Sequence, residues 1–305
     1  MPFTLIGGSF HVVGYSPDGD SIRFGPDNPH LLDSLSGPPA RLNGRGHAQL
    51  RIEAIDALET HYSPPSGGGS YSQPLALANE ARDALLDFLG ITGVVWADGR
   101  NVALAADGPV EGYILARAVE KYGRPIAFVF AGSPPEPDGS SVRLEVPRLR
   151  QSFNYHALER GLAYPTFYEG LFHDLRDAMA SAATDARASG RGLYASDATN
   201  SGVDVASLKA ITDDDPIMPK LFRRLVEHVA FYGTVDGFKA KMEQYAEPVF
   251  DLEEQNFTHF DSFIDQVGTT VTLTRLPELL VFDAMPERPA ETFSMLMGDE
   301  TTHLD

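Results

Sequence analysis

The chain contains no cysteine. A disulfide, a thiolate metal site and a cysteine nucleophile are therefore excluded. Long apolar runs are also missing: no stretch reaches the roughly 18 consecutive apolar residues of a membrane-spanning helix, so no membrane partner is expected. Residues 1–20, MPFTLIGGSFHVVGYSPDGD, have neither a basic start nor a long apolar core, which gives a cytoplasmic rather than a secreted protein as the expectation. Basic residues are scarce, with 24 Lys and Arg against 43 Asp and Glu and a formal charge of −19. Residues 198–305 carry more than half of that excess. Net charge does not steer such a protein towards nucleic acid, so any phosphate recognition has to come from a local group of arginines. There is no P-loop, dinucleotide fingerprint, GxSxG elbow or HExxH. The nine histidines are scattered without ligand spacing, and His61 is the one nearest to the Arg51–Glu59 motif described next.

At 305 residues and 43% hydrophobic content the chain can bury a full core, in one large domain or two ordinary ones. Its most informative stretch is Gly46–Tyr62, GHAQLRIEAIDALETHY. Leu50, Ile52 and Ala54 alternate with Gln49, Arg51 and Glu53, the period of a half-buried strand. Asp56 and Glu59 follow, three residues apart. Strand parity puts Arg51 and Asp56 on opposite faces, so they can serve one site only if the strand ends or bulges near Ala54–Asp56.

Around this stretch the chain alternates strands, helices and Pro/Gly loops. Ser9–Tyr15 and Asp20–Phe24 read as a hairpin around Ser16-Pro17-Asp18-Gly19. Gly25–Gly46 is a loop-rich insertion. Ser63–Ser72 (SPPSGGGSYS) is a flexible loop by composition: either a flap beside Glu59 or a tolerated surface loop. Pro74–Leu89 is a helix stopped by Gly90, and Val94–Trp96 and Asn101–Ala105 are strands around Asp98-Gly99. Val119–Arg124 turns into a strand at Pro125–Phe130. Asn154–Ala163 and Glu169–Ser189 are helical, the second with Leu175, Met179, Ala182, Ala183 and Ala186 on one side. Beyond residue 198, helices are expected at Ile217–Tyr232, Thr234–Tyr245 and Phe257–Val267, then a hairpin of Thr269–Thr274 with Leu279–Phe282, and a loose tail from Pro286.

Four of these segments, in order, resemble the staphylococcal nuclease (thermonuclease) family: the Asp18-Gly19-Asp20 turn, Arg51-x-x-x-x-Asp56-x-x-Glu59 after an alternating strand, Lys121-Tyr122-Gly123-Arg124 before a strand, and NYHALERGLA at 154–163. The resemblance covers about residues 9–196, with three loop insertions. It implies a mixed α+β fold in which a five-stranded OB-type β-barrel carries packed helices over residues 1–197. Residues 198–305 match nothing in the resemblance and read as a small acidic α+β appendage. The implied activity is Ca2+-dependent hydrolysis of DNA or RNA phosphodiester bonds, leaving 3′-phosphates.

Each implied role matches the chemistry of its residue. Asp20 and Asp56, with the backbone oxygen of Ala57, would hold Ca2+, Mg2+ or another hard divalent cation. The family usually has Thr and Pro where this chain has Ala57 and Leu58, which removes a hydroxyl beside the cation. Glu59 is the candidate general base. Arg51 and Arg124 would present planar forks to phosphate oxygens. Tyr122 either packs against a sugar or base or packs under its own turn. Taken singly, Asp18-Gly19-Asp20 is equally a plain hairpin turn and Arg124 a surface ion-pair residue. The alternative to a nuclease is a non-catalytic nucleic-acid- or protein-binding module on the same barrel. The acidic C-terminal region would then recruit a protein partner, and in either case it could regulate the site.

Overall fold

The strand pairs that surround the Arg51–Glu59 stretch define the architecture. The computed structural model describes residues 2–65 and 67–283. The first half contains β1 (Phe3–His11), β2 (Arg23–Pro26), β3 (Ala48–Gln49), β4 (Arg51–Ile52), β5 (Ile55–Ala57) and α1 (Leu75–Leu89). These are followed by β6 (Val95–Trp96), β7 (Val102–Leu104), β8 (Val110–Val119), β9 (Pro125–Ala131) and β10 (Ser141–Val142). Next come α2 (Val146–Leu149), α3 (Phe153–Glu159), β11 (Ala163–Pro165), β12 (Phe167–Tyr168) and α4 (His173–Ala188). The remainder is β13 (Val203–Asp204), α5 (Pro219–Tyr232), α6 (Phe238–Tyr245), β14 (Pro248–Asp251), β15 (Asn256–His259), β16 (Ile264–Val267), β17 (Thr270–Leu273) and β18 (Leu280–Phe282).

The main sheet runs β3-β2-β1-β8-β9-β4. Its pairs are antiparallel except β4 with β9, where Arg51 faces Ile126 in parallel. Only Leu50 separates β3 from β4, so the two ends of the sheet are two halves of one strand. The result is a nearly closed barrel flanked by helices, a mixed α+β architecture compatible with an OB-like barrel. Strand β8 sits at its centre, in a stretch from which no element was expected. Gly112–Ala116 are all buried, so the sequence shows no polar/apolar alternation there. Gly112 permits a close approach: a Cβ there would lie 2.3 Å from the Phe10 ring and 2.6 Å from the Phe130 carbonyl oxygen.

The break that parity demands is present. β4 ends at Ile52, β5 begins at Ile55, and between them Ala54 takes a left-handed backbone with φ of 67°. Asn154, fully buried in the first turn of α3, holds this break to the barrel. Its Nδ2 donates to the carbonyls of Glu53 (2.8 Å) and Ala127 (3.1 Å), and its Oδ1 accepts from the Val129 N–H (2.9 Å). Asn154→Ala would strand two buried backbone groups, the Glu53 carbonyl and the Val129 N–H, because the Ala127 carbonyl still accepts from the Glu53 N–H; each costs roughly 1–3 kcal/mol when unpaired, with partial relief by relaxation. The expected loss is about 2–3 kcal/mol in urea unfolding at constant m-value, and Asn154→Asp, which has no donor, should lose nearly as much.

Helices α1 and α4 bury the faces that their periodicity predicts. Ala81, Leu85, Leu86 and Leu89 of α1, and Leu175, Met179, Ala182 and Ala183 of α4, enter the barrel's core. Each buried Leu or Met contributes about 1.5–3 kcal/mol. α1 ends where Gly90 adopts φ of 79°.

Residues beyond 198 differ more from expectation. The helix expected at Phe257–Val267 is instead β15, a 3-10 turn at Phe260–Phe263, and β16. Phe260, Phe263 and Ile264 are buried at helical spacing, which mimics an amphipathic helix, while the flanking residues pair with β14 and β17. The expected hairpin of Thr269–Thr274 with Leu279–Phe282 does not form. β17 pairs with β13 and β16, whereas β18 pairs with β14 and, in parallel, with β12. Adjacent apolar runs thus go to different sheets. The second core joins both parts of the chain: Leu58, Ala78, Tyr164 and Ala186 pack with Leu221, Phe222, Val249 and Phe282. The expected tail from Pro286 lies outside the described residues.

Candidate active site

Three connections bring carboxylates to one place. The Asp18-Gly19-Asp20 turn joins β1 to β2 and is closed by the Asp18 N–H donating to the Ser21 carbonyl at 3.0 Å. It is packed against the barrel. A Cβ on Gly19 would lie 2.7 Å from the Ala57 Cβ and 2.9 Å from the Ala81 Cβ. Asp20 Oδ2 accepts the Ala57 N–H at 3.4 Å, and the Asp20 carbonyl accepts from the Ile52 N–H at 2.9 Å. Asp56 lies on β5. Glu59 follows it and is clamped by the fully buried Gln73, which bonds both of its backbone groups and passes its own Nε2 to the Ile217 carbonyl at 2.7 Å.

The fourth member of the cluster comes from the C-terminal region. Arg223 on α5 points between Asp56 and Glu59. Its Nη2 donates to Asp56 Oδ2 (2.7 Å), and its Nη1 to Asp56 Oδ1 (3.1 Å) and Glu59 Oε1 (2.6 Å). Sequence reasoning finds the helix but not this role, because Arg223 matches no motif. The available signal was an excess of carboxylates near Asp56 that required a cation, and a helix whose apolar face, Leu221, Phe222, Leu225 and Val226, carries Arg223 alongside it.

One guanidinium does not balance the cluster. Burial, followed by the neighbouring Asp20, pushes the Asp18 carboxyl up to about 7. Asp20 is raised to about 7 by burial and then by Asp56 and Glu59. Glu59 also rises to about 7, because burial and the charges of Asp56 and Asp18 outweigh the pull of Arg223. Burial works against the charge on Arg223, but Asp56 and Glu59 more than offset it.

The arginines named from sequence lie along the barrel lip. Arg51 stacks on Tyr168, with its Cζ 4.4 Å from the ring centroid, and has no ion pair among the described residues. It lines a cavity of about 450 Å³ with Arg117, Lys121, Glu53 and Glu169. Arg51 is close enough to the carboxylates to act electrostatically on Asp20. Arg124 is engaged elsewhere: its Nε donates to Glu120 Oε1 at 3.1 Å. The same Glu120 oxygen accepts the Tyr122 N–H, and the Tyr122 ring is 61% exposed with Lys121 Nζ 5.1 Å from its centroid. At that exposure Tyr122 is not packed under its own turn among the described residues. The Ser63–Ser72 loop is closed at its base by Tyr62 and Tyr71, which exchange backbone hydrogen bonds, and the Tyr62 hydroxyl donates to Glu227 of α5.

No protein-family model matches the chain, and no curated protein matches it in sequence. The likeness to the nuclease family therefore rests on the four sequence segments.

The donors present are all oxygens, the type that a hard divalent cation prefers. Their arrangement does not fit one. Both oxygens of Asp56 and one of Glu59 are taken by Arg223, and among the described residues no three His, Cys, Asp or Glu side chains come together to hold a metal ion.

Proposed function

We propose that this protein is a phosphodiester hydrolase of DNA or RNA, built on an OB-type barrel of the staphylococcal nuclease kind. The convergence of Asp20, Asp56 and Glu59 at one point, with Arg51 beside them, carries this reading. Glu59 is raised to about 7, so near neutral pH it can take a proton from an attacking water and release it again. Arg51, parked on Tyr168 without an ion pair among the described residues, would turn its fork to a phosphate oxygen. Arg124 would exchange Glu120 for a second phosphate oxygen, and the exposed Tyr122 ring would lie against a sugar or base. The resemblance implies Ca2+ at Asp20, Asp56 and the Ala57 backbone oxygen. With Arg223 seated, the residues do not accommodate that ion, and no step is assigned to it. A cytoplasmic location and release of 3′-phosphates belong to the same proposal.

A second reading is favoured by one observation. Arg223 neutralises Asp56 and occupies Glu59, as it would in a barrel that binds nucleic acid or protein without cutting. A digestion assay separates the two. Single-stranded DNA and RNA are incubated with the full chain and millimolar Ca2+, Mg2+ or EDTA, beside Glu59→Gln/Arg124→Ala. Cleavage that falls at least about 100-fold in the double variant is the expected result, and the three conditions read whether a divalent cation is needed. Folded wild type and folded Arg223→Gln that both leave the substrate intact under every condition would sink the hydrolase reading in favour of the binding module.

A further inference from the structure

We propose that the outer face of β1, β2 and β3 is a binding strip for single-stranded nucleic acid, running from Arg45 and Tyr15 to Arg51. Strand parity lays the strip out. Ala48, Leu50 and Ile52 are buried in the barrel, so His47, Gln49 and Arg51 face outward. The register sets Arg23 beside Gln49 and His11 beside Arg23. The extended path from His47 to Arg51 spans roughly 13 Å. Gly25 lies under the rings of His11 and His47, which stack with centroids 3.7 Å apart. A Cβ on Gly25 would come within 2.9 Å of His11 Nε2 and 3.1 Å of His47 Cδ2. Tyr15 completes the platform: its hydroxyl accepts from Asn43 Nδ2 at 2.9 Å and bonds His47 Nδ1 at 2.9 Å. The guanidinium carbons of Arg23 and Arg45 lie 5.3 and 5.4 Å from its ring centroid.

Charge and shape name the occupant. The chain carries a formal charge of −19. Arg124, Arg187, Arg223 and Arg275 are each held by a carboxylate, whereas Arg23 and Arg45 form no ion pair among the described residues. Burial, then His47 and Arg45, lowers the His11 imidazole to about 4, and burial, then Arg45 and Arg23, lowers His47. The charges that act on the two rings are thus all positive. Glu111, opposite Ser9 on β8, bounds the strip on its far side. A linear polyanion with flat bases matches this surface. The arginines meet phosphates, and the half-buried rings of His11, His47 and Tyr15 offer surfaces for bases to lie on. A duplex hides its base faces in the stack, and an acidic peptide or an anionic lipid has no bases to place on the rings. At its other end the strip reaches Arg51, which acts electrostatically on Asp20 in the carboxylate cluster.

This inference rests on the hydrolase reading only for where the strip leads, since binding itself needs no cleavage. The test is fluorescence anisotropy of a labelled single-stranded DNA of about 15 nucleotides, within the usual footprint of one barrel, with the full chain in EDTA over a range of NaCl. Wild type is compared with Arg23→Gln/Arg45→Gln, with Tyr15→Leu, and with Arg150→Gln/Arg160→Gln, which removes the same charge from exposed positions at the ends of α2 and α3. Arg23→Gln/Arg45→Gln is expected to bind at least about tenfold more weakly. It should also flatten the slope of log affinity against log salt by about 1.4, at about 0.7 for each lost phosphate contact. Tyr15→Leu is expected to bind about tenfold more weakly with the slope unchanged. The control pair should bind within about twofold of wild type. Equal losses in the two arginine pairs reduce the strip to general charge and overturn the proposal, as does a folded wild type that binds no single strand. A duplex of the same sequence bound as tightly as the single strand also overturns it. Should Arg23→Gln/Arg45→Gln fail to fold, Arg45→Gln alone, at an exposed loop position, is expected to flatten the slope by about 0.7, and an unchanged slope refutes the strip. Strip-dependent binding without any cleavage leaves this inference standing while the hydrolase reading falls. Cleavage whose KM is untouched by Arg23→Gln/Arg45→Gln does the reverse.

Discussion

Arg223→Gln should cost about 3–5 kcal/mol of folding stability at pH 8, and less than half of that at pH 5. The first figure is the usual cost of removing one partner from a desolvated ion pair. Here the charge left behind is larger than usual. Asp18, Asp20, Asp56 and Glu59 share one pocket, and Arg223 is the one cation in contact with any of them among the described residues. Without it the carboxylates repel one another with reduced screening from water, since the Asp56 side chain is 9% and the Glu59 side chain 17% exposed. The pH dependence follows from the same charges. Asp20 and Glu59 already sit near 7 with the guanidinium present, and its loss can only raise them further. At pH 5 they are protonated in the folded variant, the repulsion is gone, and only the hydrogen bonds and packing of Arg223 are missing. Urea unfolding of both proteins at pH 5 and pH 8 measures the difference. An equal cost at both pH values would mean that Arg223 acts through packing and not through charge.

The cluster also explains which parts of the site were legible in the sequence. Arg51, Asp56 and Glu59 stand in one short stretch, and parity alone required a strand break between Arg51 and Asp56. Ala54 supplies that break with its left-handed backbone. The hairpin of β1 and β2 was readable from Pro, Asp and Gly in the turn, but not the packing of Gly19 on Ala57 and Ala81 that brings Asp20 to β5. Such a contact joins residues far apart in the chain and leaves no local pattern. Strand β8 was invisible for a related reason: a strand buried on both faces loses its alternation. Arg223 was the hardest to foresee. A helix announces its apolar face by period, whereas the target of one polar residue on its flank depends on how two sheets and a helix pack.

Arg124 shows the limit of a motif. The Lys-Tyr-Gly-Arg turn forms where expected before β9, yet its arginine is held by Glu120, four residues earlier. The Arg124 side chain is 37% exposed and makes a single side-chain hydrogen bond to that carboxylate. A phosphate approaching the barrel lip could therefore win Arg124 from Glu120 at small cost. Arg223 is held more firmly: it makes three hydrogen bonds to two carboxylates and sits on a helix whose apolar face is buried in the second core. Readiness at the lip and closure at the carboxylates thus differ by the number of bonds each guanidinium makes, not by the identity of the residues.

Asp18→Asn should raise stability at pH 8 and lose that advantage at pH 4. The Asp18 carboxyl is 9% exposed, and burial with the charge of Asp20 lifts it from an ordinary value of 3.8 to about 7. A carboxyl raised in the folded state contributes stability that is fully present below its unfolded value near 4. That contribution declines as pH climbs and is spent once pH passes the folded value near 7. Each tenfold change in proton affinity corresponds to about 1.4 kcal/mol, so ionised Asp18 works against the fold at pH 8 by on the order of 4 kcal/mol. Asparagine removes the ionisation while keeping an oxygen for the Gly19 N–H, which Asp18 Oδ1 accepts at 2.9 Å. The neighbouring Thr60 favours the charged carboxylate, and losing that favour takes back part of the gain. About 2 kcal/mol should remain at pH 8, read as a Tm rise of several degrees, with the two proteins converging near pH 4. A benefit that is the same at every pH would show that Asp18 is not the strained carboxylate this pocket makes it.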